Sequence, residues 1–150
     1  MLYTEPIAID ETTNFTFRTF RKNGTADVAV KTEFIKQSLA EPVAVDKASL
    51  KEGLQCQVYE KKYKNCENFT EGAKLLNTLS VDKVAIPQGA KGWLGLAFDG
   101  YIEIPEDGIY SFALLSDDGS RLYINDHWVC DNDGPHGPRE VVGQYAMKAG

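Results

Sequence analysis

The sequence predicts an all-β chain, and three observations carry that expectation. Apolar and polar residues alternate over several short runs, which is the period of a strand and not of a helix. Asp-Gly pairs recur at nearly even spacing, at 99–100, 107–108 and 118–119, and Asn23-Gly24 adds a further tight-turn signal. No segment sustains helical i, i+3, i+4 spacing. Short strands with regular turns point to a sandwich or barrel.

The elements follow in order. In "NFTFRTFRKNG", starting at Asn14, Phe15, Phe17 and Thr19 fall on one side and Thr16, Arg18 and Phe20 on the other. The turn at Asn23-Gly24 leads into a second alternating run, "DVAVKTEFIK", from Asp27 to Lys36, so a β-hairpin is expected. "SLAEPVAVDKASLKEG" then loosens, with Pro42 near its centre and no sustained period, and reads as a linker or boundary. After Gly53 one short strand is expected around Val58, followed by an irregular charged stretch. "SVDKVAIP" predicts another strand, stopped by Pro87. The clearest alternation comes last: Leu94/Leu96/Phe98, Ile102/Ile104, Tyr110/Phe112/Leu114 and Leu122/Ile124.

Composition narrows the functional classes. Apolar residues make up 43% of 150 and aromatics 11%, enough for a real core. The net charge of −6 lacks the basic face that a phosphate backbone requires, so no nucleic-acid partner is expected. It tolerates cations and neutral ligands such as sugars. No apolar run is long enough to span a bilayer, and "MLYTEPIAID" lacks the pattern of a signal peptide.

The three cysteines, Cys56, Cys66 and Cys130, fit no zinc spacing. A Cys56–Cys66 bridge would close a short loop in an oxidising compartment, whereas unpaired, partly buried thiols are the preferred reading. Three N-x-[ST] triplets, at Asn14, Asn23 and Asn68, carry no functional weight because such triplets arise often by chance.

The run "GYIEIPEDGIYSFALLSDDGSRLYINDHWVCDNDGPHG" strongly resembles the PA14 domain, a β-sandwich or barrel module of bacterial toxins, glycosidases and yeast adhesins. The resemblance rests on Gly100 to Phe112, Ser116 to Ile124 and Asp131 to Gly137, and it extends over roughly residues 52 to 150. A shorter likeness covers residues 2 to 36, which are similar to the last strands of a chitobiase/β-hexosaminidase C-terminal module. Together they imply residues 1–37 as the tail of that β module, 38–52 as a linker and 53–150 as the PA14-like domain. Both pieces would then be incomplete, before Met1 and after Gly150. The order implies the tail of a secreted bacterial glycoside hydrolase, periplasmic or at the cell surface, with a β-hexosaminidase first and a fucosidase second.

Asp117 and Asp118 are the main candidates for chemistry. In one reading Asp117-Asp118-Gly119 is a hairpin turn whose side chains serve the backbone. In the other the paired carboxylates bind Ca²⁺, as the resemblance to sugar-binding PA14 domains implies, and the ion accepts sugar hydroxyls. Asp131-Asn132-Asp133-Gly134 looks like the start of an EF-hand loop, but its twelfth position is Val142 and the surrounding pattern is β, so turn-forming polar residues are the better account. Asp131 could still approach the same ligand.

His136, between two prolines, is either a sugar contact or a packed loop residue. Trp93, Tyr123 and Trp128 could each stack on a pyranose, Trp128 best because it adjoins the acidic cluster, although strand aromatics are more often core. A pair of glycosidase carboxyls faces across a bond at about 5 Å or about 6.5–9.5 Å. Adjacent Asp117 and Asp118 cannot easily straddle a substrate. Asp118 and Asp131 could, but no Ser–His, Cys–His or metal-hydrolase constellation accompanies them, so no catalysis is expected from this chain. The expected function is a carbohydrate-binding accessory module that raises the effective concentration of an attached active site. The alternative is a structural spacer packed against that catalytic domain.

Overall fold

A computed structural model describes residues 3–150, which divide into two compact units at Ser38/Leu39. Its elements are strands, apart from a single 3₁₀ turn at Lys47–Ser49. The all-β expectation therefore holds.

The first unit is a hairpin of β1 (Thr13–Phe17) and β2 (Val30–Phe34). The pairing is antiparallel from Thr13 opposite Phe34 to Phe17 opposite Val30. Phe15 stacks on Phe17 at 5.6 Å and meets Phe34 edge-on at 5.7 Å, the same-face and diagonal neighbours a pleated pair supplies. Both strands are shorter than the alternation predicts. Pairing resumes only at Phe20–Ala26, so two residues of one strand face three of the other and the ladder breaks between them. The expected turn at Asn23-Gly24 is present, with Gly24 at φ +82°.

In the second unit a three-stranded antiparallel sheet has the order β4 (Lys74–Val81), β3 (Leu54–Glu60), β5 (Leu94–Asp99). The β3–β4 register shifts between Val58 and Tyr59, where Leu76 is the extra residue of β4, and both Val58 and Tyr59 are buried. Tyr59 packs edge-on against Phe69, and Phe69 stacks on Tyr63 at 4.8 Å. Gly95 makes room for this aromatic pair: a Cβ there would lie 2.5 Å from the Tyr63 ring and 2.6 Å from Phe69. "SVDKVAIP" is not the strand expected from sequence. β4 ends at Val81 because that residue pairs with Leu54, where β3 begins, and Gly53 turns away at φ +91°. The irregular charged stretch also hides the true start of β4, at Lys74.

The Ile102/Ile104 segment forms no ladder either. Ile104 exchanges two backbone hydrogen bonds with Gly150, at 2.8 and 3.0 Å, and Pro105 then removes the next donor. Its side chain is buried, while Ile102 is exposed.

β6 (Gly108–Ser116) pairs with β9 (Arg139–Met147) over nine residue pairs. Tyr110, Phe112 and Leu114 alternate inward, whereas Ile109, Ala113 and Leu115 face out. β7 (Ser120–Ile124) and β8 (His127–Asn132) form a hairpin closed by Asn125 and Asp126, both at positive φ as a two-residue type I′ turn requires. The buried side chains here are Cys130, Asn132, Ala146 and Met147. Residues 39–52 pack within this unit, and Ala40 is tied to β9 through Ala146 O and the Lys148 N–H. All three cysteines are free thiols.

Candidate functional site

The site grows from one polar side chain in an otherwise apolar position. On β8, Cys130 and Asn132 point inward, and Asn132 is fully buried. Its Nδ2 donates to Ser116 Oγ and to the Arg139 carbonyl, both at 2.9 Å, and Oδ1 accepts from Arg139 Nε at 2.6 Å. The Ser116 and Ser120 hydroxyls meet at 2.6 Å across the turn. Asn132 thus ties together the end of β6, the start of β7 and the start of β9.

Above this knot lies Asp117-Asp118-Gly119, with a cis peptide between the aspartates. Gly119 does not have positive φ, contrary to the usual reason for Gly in a turn. It is needed for close approach, since a Cβ would lie 2.7 Å from Gly134 N and 3.0 Å from Asp133 Oδ1. The 131–137 loop therefore lies directly against the aspartate turn. Both aspartates are exposed, and Asp118 Oδ1 accepts the His136 backbone N–H at 3.2 Å. The His136 ring lies between two carbonyls, with Nε2 2.8 Å from Asn132 O and Nδ1 2.7 Å from Gly137 O. Those contacts brace the loop.

A second cluster adjoins the first. Asp133 Oδ1 accepts the amides of Cys66 and Gly134, both at 2.7 Å, and Oδ2 pairs with Arg121 at 2.9 Å. Arg121 also lies 3.4 Å from Asp131, and its guanidinium covers the Trp128 ring at 4.5 Å. The register shift between Leu122 and Tyr123 explains that stacking. The extra residue, Val129, places Trp128 opposite Tyr123 and returns both to the face shared by Arg121 and Asp131.

Burial opposes charge on Asp133, but the Cys66 thiol, the two amides and Arg121 outweigh it and hold the carboxyl below the ordinary carboxylate range. Burial likewise pushes the Cys66 thiol up to about 12, with Asp133 adding to the shift. A depressed carboxyl pKa stabilises the fold above the unfolded value of about 4, and that contribution disappears as pH falls through the folded value. Asp133→Asn is expected to cost roughly 1–2 kcal/mol at neutral pH, as loss of a charge-assisted pair does, and less in strong acid. Chemical denaturation of both proteins from pH 7 down to 2.5 measures this; a gap that does not narrow would refute it.

The structure therefore brings Asp118 and His136 together, with Asp117 beside them. Asp131 is joined to the site through Arg121 and Asp133. Trp128 stands four residues along β8 from Asn132, about 13 Å at strand rise, and reaches the site only through Arg121. Trp93 lies apart, just before β5, beneath the Lys62 ammonium at 5.0 Å. His127 stacks on Tyr145 at 4.4 Å and is ordinary surface packing. No group of three or more His, Cys, Asp or Glu side chains converges in metal-binding geometry among the described residues. Asp117 and Asp118 are both exposed and supply carboxylate oxygens, the donor type that a hard cation such as calcium takes.

Sequence reasoning missed Arg121 and read Asn132 as a turn residue, whereas it is the last residue of β8 and fully buried. Asn132 has a legible signal, since it shares strand parity with Cys130 and so occupies a core-facing position. Arg121 has none, because its role depends on the bulge at Val129.

The aspartate turn is not the hairpin turn expected from sequence, because the strands it joins pair elsewhere, β6 with β9 and β7 with β8. An all-β unit with an acidic turn between two sheets, braced by a second loop, is the class that the fold and site define. Residues 50–150 match the PA14 domain, and the chain belongs to that family. Comparison with curated proteins and with solved structures gave no match. PA14 domains are carbohydrate-binding-type modules, typically non-catalytic and often found in glycosidases, and they occur in extracellular or surface proteins. No helix among the described residues is long and apolar enough to cross a membrane.

Proposed function

We propose that this chain is a non-catalytic carbohydrate-binding module of a secreted bacterial glycoside hydrolase, with a β-N-acetylhexosaminidase as parent. Asp117 and Asp118 hold Ca²⁺, and the ion accepts sugar hydroxyls, while Asp131, His136 and Trp128 border the bound glycan. The observation that carries this reading is the pair of exposed carboxylates on a turn fixed from below by Asn132 and from the side by Gly134. A turn so braced presents its oxygens at little entropic cost on binding. His136 contributes by holding the loop, because its ring nitrogens already face carbonyls.

Calorimetric titration of Ca²⁺ into this chain and into an Asp117→Asn/Asp118→Asn variant tests the proposal. Binding heat is expected in the first only, with unchanged thermal stability, followed by calcium-dependent binding of N-acetylglucosamine oligomers. Equal heats, or none in the unsubstituted chain, would refute calcium binding. Glycan binding without calcium would retain the module and remove the ion.

One observation favours a spacer instead. The outer face of β6 and β9 exposes Ile109, Leu115 and Val142, each more than half accessible, which suits packing against a neighbouring domain. A chain that binds neither calcium nor glycan belongs to this reading.

A further inference from the structure

The turn of the first unit carries a reactive arrangement that the proposed function does not use. Asn23 is followed by Gly24, which lies at φ +82° with nothing within 4 Å of the position a Cβ would take. Asn23 Oδ1 accepts two hydrogen bonds from Thr25, one from its backbone N–H at 3.1 Å and one from its hydroxyl at 2.7 Å. Residues 20–27 are all exposed. Two donors on Oδ1 withdraw electron density from Cγ and make that carbon a better electrophile. The nitrogen that can attack it belongs to Gly24, which has no side chain to obstruct approach.

We propose that Asn23 is a site of spontaneous covalent modification, in which its side-chain amide becomes a carboxylate. The Gly24 backbone nitrogen forms a bond to Asn23 Cγ. The Cγ–Nδ2 bond breaks, and Nδ2 leaves as ammonia with the proton released from the Gly24 nitrogen. The resulting five-membered imide is opened by one water at either carbonyl, giving aspartate or isoaspartate. Water is the only co-reactant, and nothing is oxidised or reduced. The product adds one negative charge to a chain of net charge −6. Isoaspartate also lengthens the backbone at the turn by one methylene.

One interaction opposes the step: the Gly24 N–H donates to the Arg21 carbonyl at 2.9 Å and must release it. That bond lies in an exposed turn, where local opening is inexpensive. The other six asparagines are worse placed. Asn132 is fully buried with its Nδ2 engaged, and Asn14 donates to Glu33 at 3.4 Å. Asn68 precedes Phe69, whose ring is packed between Tyr59 and Tyr63. Asn65, Asn77 and Asn125 precede Cys66, Thr78 and Asp126, whose side chains hinder the attacking nitrogen.

The test is incubation of the intact chain in mildly alkaline buffer at physiological temperature, with peptide mapping by mass spectrometry and enzymatic detection of isoaspartate. A gain of one mass unit should appear at Asn23 before any other asparagine, as a mixture of aspartate and isoaspartate. Gly24→Ala should slow it several-fold by hindering the nucleophile. Thr25→Val should also slow it by removing the hydroxyl donor to Oδ1, and Asn23→Gln should abolish it while keeping an amide at the turn. Circular dichroism on each variant confirms that the hairpin persists, and the Asn23→Gln comparison stands even if Gly24→Ala is strained. Conversion elsewhere before Asn23, or an unchanged rate in folded Gly24→Ala, would overturn the proposal.

Discussion

Gly143→Ala is expected to destabilise the second unit by about 3 kcal/mol or more, the upper range for overpacking a closed site, and to lower its Tm by about 10 °C. Gly143 sits mid-strand opposite Phe112, where an alanine would ordinarily be harmless. Here its Cβ would lie 1.9 Å from the Val129 carbonyl oxygen, 2.7 Å from the carbonyl carbon and 2.9 Å from Cys130 Sγ. Two of those atoms are backbone and cannot rotate away. β8 would have to move outward by an ångström or more, which strains the 3.4 Å contact from Cys130 Sγ to the Phe112 carbonyl and the Asn132 bonds beyond it. The same shift would displace the bulge that places Trp128 under Arg121. Thermal denaturation beside Gly137→Ala decides the point. Gly137 has nothing within 4 Å of its Cβ position and no positive φ, so its alanine should stay within about 0.5 kcal/mol of the unsubstituted chain. Equal melting of the two variants would show that β8 tolerates displacement and that the close approach is not specified.

What the sequence discloses depends on whether the deciding contact is local. Strand β6, though not its pairing with the distant β9, is visible in the alternation of Tyr110, Phe112 and Leu114, because a half-buried strand writes its parity into the sequence. The Asn23-Gly24 turn is visible for the same reason, since its φ requirement is met within two residues. β4 was misplaced because its end is fixed by Leu54 and Gly53, far along the chain, and not by Pro87. Gly119 is similar: the Asp-Gly pair signals a turn, but the glycine answers to Gly134 across the site and has no positive φ. Asp117 and Asp118 stand out as acidic residues at a turn, yet the group that fixes that turn from below, Asn132, is uncharged and is the last residue of a strand. Bulges are the least legible feature. The register shift at Val129 decides which face Trp128 occupies, and no residue type at that position announces it.

Asn132→Asp is expected to be the most informative change at the site, costing roughly 2–4 kcal/mol at neutral pH, as an unpaired buried polar group or charge does. Arg139 Nε can only donate, so the atom it meets at 2.6 Å is the amide oxygen, and Nδ2 must face Ser116 Oγ and the Arg139 carbonyl. A carboxylate keeps the first contact and can accept from the Ser116 hydroxyl. Against the carbonyl it places oxygen on oxygen. Protonation restores one donor there, and with the site fully buried this and desolvation are expected to outweigh the Arg139 guanidinium, so the carboxyl of the variant should titrate above the ordinary carboxylate range. The sign follows: a raised folded pKa means the penalty is smallest below the unfolded value of about 4 and grows as pH rises through the folded value. Asp133→Asn follows the same trend from the opposite cause: its cost also grows from acid toward neutral pH, because there a native carboxyl that is held charged is lost. Denaturation of both variants from pH 3 to 8 should therefore give a deficit that rises with pH in each, by unlike routes. Replacing Asn132 with Ala separates them, because that variant carries no titrating group and its deficit should be flat. If Asn132→Asp instead matches Asn132→Ala at every pH, the amide does not hold the Ser116–Arg139 junction as described. Retention of calcium heat by a folded Asn132→Ala chain would further show that the aspartate turn keeps its shape without the brace beneath it.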